Sequence, residues 1–152
     1  MKLQKLMFYA YAWYLAHTNR SLFQEDYEAW PWGPVLPNIY AQTRPYGRGP
    51  VTGKLHELAR NDGTFTFRMN VPEGVASDLK PFMKSIWDAH KAYTAIQLSN
   101  STHAPGEPWT IVRDGYGSLD EKPVIPNDLI ATVFKQKLER ARPNTTPNSS
   151  TT

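Results

Sequence analysis

The most regular hydrophobic pattern in the chain lies at its start, between Lys2 and His17. Apolar residues recur there at helical spacing, and the stretch contains neither glycine nor proline. Phe8, Ala12 and Leu15 add apolar groups on further faces. Helices that are apolar nearly all round are usually buried on several sides. The pattern therefore predicts a central N-terminal helix around which the rest of the fold packs.

Three more helices are predicted in the second half of the chain. Ser77 or Asp78 is placed to cap a helix that runs to about Tyr93. Its expected inward stripe consists of Phe82, Ile86, Ala89 and Tyr93, widened by Trp87. A short helix follows from Thr94 to about Asn100. Pro126 and Asn127 open the last one, which runs to about Arg140.

The segment between the first and second helical regions is rich in proline. The run from Trp30 to Pro37 contains three prolines and a glycine, so a regular helix is excluded there. Pro37 suits the first turn of a helix that ends near Thr43, with Ile39 and Tyr40 expected to point inward. We expect residues 22–32 to be irregular or a short helical turn.

A second pattern, with a period of two, predicts a small β-hairpin. Thr64–Asn70 alternates between polar and apolar residues, and Asn61-Asp62-Gly63 before it is a turn signal. Leu55–Arg60 is the expected partner strand. The fold class is therefore predicted as mainly α, a compact helical domain with a small β-hairpin insertion. Residues 1–142 form this domain, and residues 143–152 are expected to be a disordered tail.

Composition narrows the function classes. The 152 residues suit one domain, and 40% of them are hydrophobic, which excludes a wholly disordered chain. The net charge of +3 comes without a concentrated basic stripe, so nucleic-acid binding is not favoured. The chain has no cysteine, which excludes disulfides and thiolate chemistry and fits the cytoplasm. It also has no apolar run long enough to cross a membrane.

No arrangement of reactive residues predicts an enzyme. His103 and Glu107 have the four-residue spacing of helical zinc ligands, but Pro105 and Gly106 between them exclude a helix. Ser99 and Ser101 near His103 lack the glycine-flanked elbow of a serine nucleophile. We therefore expect no catalytic residues, no metal and no cofactor. A hydrolase using His103 remains a minor alternative.

The residues that stand out are aromatic side chains next to turns rich in proline or glycine. One interpretation is that these aromatics anchor the loops to the core. A second is that they form a protein-binding surface, since Trp and Tyr dominate binding hot spots. A third is a stacking platform for single-stranded nucleic acid, with Arg44, Arg48 and Lys54 contacting phosphates. The candidate partner-binding residues are Trp30, Trp32, Tyr40, Tyr46, Arg48, His103 and Trp109.

Three ordered motifs resemble the signatures of one family. The first is Lys2–Ala16, which begins K-L-Q-K-L. The second is Glu28–Tyr40, with the pattern W-x-x-G-P-V-x-P-x-x-Y, followed by Tyr46-Gly47. The third is Leu98–His103 with Pro108–Trp109, the pattern L-S-x-x-T-H and then P-W. In their order and spacing these motifs are similar to the Panacea domain of SocA-like antitoxins and phage-associated proteins.

The resemblance implies a mostly helical domain without catalytic residues. It implies an antitoxin that neutralises a toxin by direct contact, or an adaptor that hands the toxin to a bacterial protease. The alternatives are a phage-encoded inhibitor of a host defence or replication factor, acting in the host cytoplasm, and an RNA- or DNA-binding regulator.

The resemblance also points to a difference at the start of the chain. Family members usually carry a helical segment ahead of the first motif, and this sequence begins at it. We therefore expect the N-terminal helix to be completed by a second copy or by a partner. Leu3, Met7, Phe8, Tyr11 and Leu15 are the residues expected to need that cover. The alternative is that the Trp30–Tyr40 segment or the C-terminal helix folds over it.

Overall fold

A computed structural model describes residues 1–60, 67–72 and 74–142. Among these residues the chain forms six α-helices, and a single-turn 3-10 helix spans Arg44–Tyr46. The α-helices are α1 (Lys2–Thr18), α2 (Pro37–Thr43), α3 (Lys80–His90), α4 (Ala95–Thr102), α5 (Pro108–Tyr116) and α6 (Asn127–Ala141). The fold class is therefore mainly α, as predicted.

The strands form two small antiparallel sheets. In the first, β1 (Tyr27–Trp30) lies between β2 (Gly33–Val35) and β5 (Val124–Ile125). The β1–β2 hairpin has a two-residue turn, with Trp30 opposite Gly33 and Glu28 opposite Val35. In the second, β3 (Glu57–Arg60) pairs with β4 (Phe67–Asn70). Pro34 lies in β2, which is an edge strand and so tolerates a residue without an N–H group.

The core is built around α1. This helix packs against α6, α4, α3 and β2. Its Tyr11 and Phe8 are 0% and 1% exposed, and their rings meet the ring of Tyr27 at centroid distances of 5.4 and 5.1 Å. Phe134 of α6 closes the other side of Phe8, 6.0 Å away in an edge-on arrangement. The aromatic residues of the first helix thus join the hairpin to the C-terminal helix.

The prediction of a central N-terminal helix is confirmed. The cover of α1 comes from within the chain for Phe8, Tyr11 and Leu15, all of which are buried. This is the alternative in which the C-terminal helix and the hairpin segment pack over it. Leu3 and Met7 are half-buried. Completion of the helix by a second copy or by a partner stays a prediction.

The predicted β3–β4 hairpin is also confirmed, because Glu57–Arg60 pairs with Phe67–Asn70. Its turn, Asn61-Asp62-Gly63, lies outside the described residues, as do residues 64–66 of the predicted strand. The expected disordered tail, residues 143–152, lies outside them as well. The last helix begins at Asn127 and ends at Ala141, close to the predicted bounds.

Some predicted elements were wrong. Tyr27–Trp30, within the segment 22–32 that was expected to be irregular or a short helical turn, forms strand β1. For Trp109–Arg113 the sequence predicts a helical turn, whereas the structure has a full helix over Pro108–Tyr116. In α3 neither Ser77 nor Asp78 is the cap, since the helix begins at Lys80 after a turn closed by the Leu79 N–H and the Ala76 carbonyl. Of its predicted inward residues only Ile86 is buried and Phe82 is half-buried.

The end of α3 explains why the predicted stripe was too long. Thr94 accepts a hydrogen bond from the Gln97 N–H, while the Gln97 side chain accepts one from the Thr94 N–H. This capping box starts α4 at Ala95, so the chain must leave α3 a few residues earlier. Tyr93 therefore lies beyond the end of α3 and is 48% exposed. Trp87 lies within α3 and is 51% exposed.

Among the described residues, no helix combines the length and the apolar character that crossing a membrane requires.

Candidate functional site

The β1–β2 hairpin is fixed through its backbone by side chains from three helices. The carbonyl of Trp30 accepts a hydrogen bond from Trp109 Nε1 at 2.8 Å, and that of Trp32 accepts one from Ser99 Oγ at 3.0 Å. Two donors come from α1: Lys5 Nζ donates to the Pro34 carbonyl at 3.0 Å, and Gln4 Nε2 donates to the Leu36 carbonyl at 3.1 Å. Every second carbonyl from residue 30 to residue 36 thus has a side-chain donor. This arrangement joins the three sequence motifs into one structure.

Gly33 lies at the tightest point of this structure. Its φ of +105° is a conformation that L residues rarely adopt. A Cβ atom at this position would stand 2.6 Å from Lys5 Nζ and 2.8 Å from Thr102 Oγ1. Only a residue without a side chain lets α1 and α4 approach the hairpin this closely.

Lys5 is a buried cation. Its side chain belongs to a residue that is 1% exposed, and burial lowers the pKa of its amine to about 8. The amine donates to the Pro34 carbonyl. Lysine is among the residues that are almost never fully buried, so its presence here marks a specific structural role.

The side-chain amide of Gln4 pairs with the backbone of Leu36 in the way that a residue of a neighbouring strand would. Its amide donates to the Leu36 carbonyl at 3.1 Å and accepts from the Leu36 N–H at 3.0 Å, and both residues are buried. At the surface, Gln42 makes the same pair of hydrogen bonds with the backbone of His56, at 2.8 and 2.6 Å. The chain therefore contains one motif twice, once in the core and once near solvent.

We expect Gln4→Met to lower the free energy of unfolding by about 2 kcal/mol, because two buried backbone groups of Leu36 lose their partners. Gln42→Met is the matched control. Its backbone partners on His56 can turn to water, so its effect should stay below about 0.5 kcal/mol. Urea denaturation of the three proteins measures the difference. Equal losses for the two variants would contradict the interpretation.

His103 lies flat against Trp109. The two rings are stacked with centroids 3.9 Å apart and planes inclined by 16°, and the Arg113 guanidinium lies 5.0 Å from the Trp109 centroid. Burial, and then the charges of Lys5 and Arg113, lower the pKa of His103 below its usual value. A neutral imidazole is thereby favoured in the stack.

Trp32 is displayed at the tip of the hairpin. Its carbonyl is bonded to Ser99, yet the residue is 71% exposed. Ile96, one turn before Ser99 on α4, is 67% exposed. His103, one turn after Ser99, lies on the same face of the helix. We define Trp32, Ile96 and His103 as the hairpin-tip surface.

Of the remaining predicted aromatics, Trp30 and Tyr40 form a partly exposed pair and Trp109 is buried. Trp30 is half-buried, packs against Tyr40 with centroids 4.7 Å apart and carries the Lys122 amine 4.2 Å above its ring. Tyr40 itself is 40% exposed, so the prediction that it points inward was wrong. Trp109 is 3% exposed and works as an internal donor.

Tyr46 and Arg48 lie away from the hairpin tip. Tyr46 is half-buried in the segment that follows α2, and its hydroxyl accepts a hydrogen bond from the Gly53 N–H at 3.0 Å. It lines a separate groove of about 100 Å³ together with Leu3 and Tyr40. Arg48 is exposed. The structure therefore gathers Trp30, Trp32, His103 and Trp109 at the hairpin and leaves these two outside.

The hydroxyl groups of this region hold the backbone in place through hydrogen bonds. Ser99 donates its hydroxyl proton to the Trp32 carbonyl, and Thr102 donates to the Ser99 carbonyl at 2.7 Å. Within residues 1–60, 67–72 and 74–142, no three His, Asp or Glu side chains are grouped so that they could hold a metal ion.

Sequence reasoning missed Gln4 and Lys5 as parts of this region. The signal available was a pair of adjacent polar residues within a helix that is otherwise apolar on nearly all faces.

Comparison with known proteins gives two findings. The family described as antitoxin SocA-like, Panacea domain matches residues 3–110. Antitoxin SocA of Caulobacter vibrioides (strain NA1000 / CB15N) is 25% identical over 118 residues, which cover 78% of this chain. The match spans 61% of the length of that relative. No solved structure matches the chain at a significant level.

Proposed function

Because the chain belongs to the antitoxin SocA-like, Panacea-domain family, we propose that it neutralises a protein toxin by binding it directly. The observation that carries the proposal is the hairpin-tip surface, in which a largely exposed tryptophan stands on a rigid backbone. Exposed aromatics on a preorganised support are typical of binding hot spots, because little side-chain or backbone freedom is lost on association.

We further propose that neutralisation needs no catalysis by this chain. The hydroxyls beside the surface are already engaged, since Ser99 donates to the Trp32 carbonyl of the hairpin and Thr102 donates to the Ser99 carbonyl of α4. Masking a toxin requires complementary contact area and a few strong anchors. Trp32 and Ile96 provide apolar contact, and the lowered pKa of His103 beside them favours a neutral ring, which avoids the cost of burying a charge.

The test is co-expression with the genes that flank the gene for this chain. We expect one of them to arrest growth when expressed alone and to be silenced, and co-purified, when this chain is present. Trp32→Ala should weaken toxin binding at least about tenfold, as hot-spot truncations do. Trp87→Ala, which removes a second exposed tryptophan, on helix α3, is the matched control and should retain neutralisation.

Three outcomes would contradict the proposal. One is the absence of any growth-arresting neighbour or co-purifying protein. Another is neutralisation that both tryptophan variants lose equally. The third is sub-micromolar binding of an oligonucleotide at about 150 mM salt, which would favour the regulator, since a chain without a basic stripe should bind only weakly and with strong salt dependence.

A further inference from the structure

An apolar groove lies between α1, α3 and the segment after α1. It has a volume of about 310 Å³, and its walls include Leu6, Met7, Phe23, Met83 and Trp87. The other lining residues are also apolar. Trp87 forms the open edge of the groove, where it is 51% exposed. The volume is within the range of ligand-binding clefts, which is roughly 300–1,000 Å³.

The groove and the hairpin use opposite faces of α1. Residues advance by about 100° along a helix, so the mean direction of Gln4 and Lys5 lies about half a turn from the mean direction of Leu6, Met7 and Ala10. The first pair bonds to the hairpin backbone, and the second set lines the groove. The groove is therefore a surface separate from the one that we assign to toxin binding.

The open edge of the groove is bordered by lysines. Lys2 places its amine 5.8 Å from the Trp87 centroid and donates to the Lys91 carbonyl. Lys84 lies one turn before Trp87 on α3, and Lys91 lies one turn after it, directly beyond the end of the helix. Asp88 is the nearby carboxylate, and hydrogen bonds from these two lysines lower its pKa to about 2. Three positive charges thus accompany one carboxylate that is already paired.

We propose that this groove docks an acidic amphipathic helix of a protein partner. The apolar side chains of such a helix, spaced by three and four residues, would enter the groove beside Trp87. Its carboxylates would meet Lys2, Lys84 and Lys91, whose surplus charge is complementary to them. This inference goes beyond the proposed toxin neutralisation, and it concerns a second partner.

The same charges argue against a second copy of the chain. In a twofold-symmetric dimer the same patch meets itself. The lysines at the edge of one groove would then face the lysines of the other, and like charges placed together oppose association. An acidic partner has no such conflict.

The experiment uses two synthetic helical peptides with the same stripe of leucines, one flanked by glutamates and the other by lysines. Fluorescence polarisation with the full chain should show the glutamate peptide binding at least about tenfold more tightly than the lysine peptide at physiological salt. Trp87→Ala should weaken binding of the glutamate peptide about tenfold. The double variant Lys2→Glu, Lys91→Glu should reverse the preference between the two peptides.

The controls make the result decisive. Trp32→Ala should bind both peptides like the unmodified chain, and thermal melting checks that each variant is folded. Trp87 and Lys91 are about half exposed and Lys2 is half-buried at the surface, so their substitution should leave the fold intact. Equal binding of the two peptides, binding of neither, or an equal loss in Trp32→Ala would overturn the proposal. A dimer seen in sedimentation that Trp87→Ala abolishes would overturn it in favour of a second copy. None of these results depends on whether a toxin is found.

Discussion

Gly33→Ala should lower the free energy of unfolding by about 4 kcal/mol, the largest single-residue effect that we expect. Two costs add: a non-glycine residue at φ +105° is strained by roughly 1–3 kcal/mol, and overpacking costs a similar amount. The overpacking arises because the new methyl group would stand 2.6 Å from Lys5 Nζ and 2.8 Å from Thr102 Oγ1. Movement of Lys5 Nζ would break its hydrogen bond to the Pro34 carbonyl of the hairpin, and movement of Thr102 Oγ1 would break its hydrogen bond to the Ser99 carbonyl of α4. Chemical denaturation measures the loss.

Gly106→Ala separates the two costs. Gly106 also has a positive φ, of +80°, but nothing lies within 4 Å of the position that its Cβ would take. This variant should therefore show the backbone strain alone, about 1 kcal/mol. A loss at Gly33 no larger than the loss at Gly106 would mean that the helices do not close on the hairpin as described. The same Gly33 variant should also weaken toxin binding, because it displaces Trp32.

The second large effect is a rise in stability between about pH 8 and pH 10 that depends on Lys5. The pKa of Lys5 is about 8 in the folded chain and about 10.5 when the chain is unfolded. Between these values the unfolded state holds a proton that the folded state has released, so stability increases with pH. The increase should reach about 2 kcal/mol between pH 8 and pH 10.

The window is chosen to isolate this amine. The α-amino group of Met1 and the imidazole of His103 also have lowered pKa values, but they act below pH 8. Burial raises the pKa of Tyr9 to about 12, and that of Tyr27 well above its usual value. Both tyrosines therefore oppose the rise only above about pH 10, where unfolding would let them ionise.

Lys5→Met is the control for the pH dependence, and its unfolding free energy should be nearly flat across the window. A titration of lysine Nζ resonances by NMR provides a measurement that does not require the variant to fold. One amine, that of Lys5, should titrate near pH 8. If all lysine amines titrate above pH 10, the burial of Lys5 is not what the structure indicates.

The order of apolar and polar residues was enough to predict those elements that are determined by residues close together in the sequence. The apolar periodicity of α1 and α6 and the alternation in Phe67–Asn70 are properties of neighbouring residues, and the structure contains those elements. The β1–β2 hairpin was not predictable in this way. Its prolines and its glycine exclude a helix, but its strand geometry is fixed by donors that are distant in sequence, such as Trp109 to Trp30 across 79 positions.

The candidate site was predicted in part, for the same reason. Trp32 and His103 stood out because aromatic and ionisable residues near turns are uncommon enough to notice. Gln4 and Lys5 did not, since polar residues near the start of a helix are usually solvated. Their role follows from burial, with Gln4 at 6% and Lys5 at 1% exposure, and burial depends on what packs against the helix.

The backbone support of the hairpin has a consequence for how this chain could change its partner. The donors Gln4, Lys5, Ser99 and Trp109 bond to carbonyl oxygens, which every amino acid has. The side chain at position 32 is therefore not needed to hold the tip in place. Substitutions there can alter specificity at little cost in folding, so a library randomised at positions 31 and 32 should retain the fold while it samples new recognition surfaces. The same scaffold could in this way acquire a different target by few mutational steps.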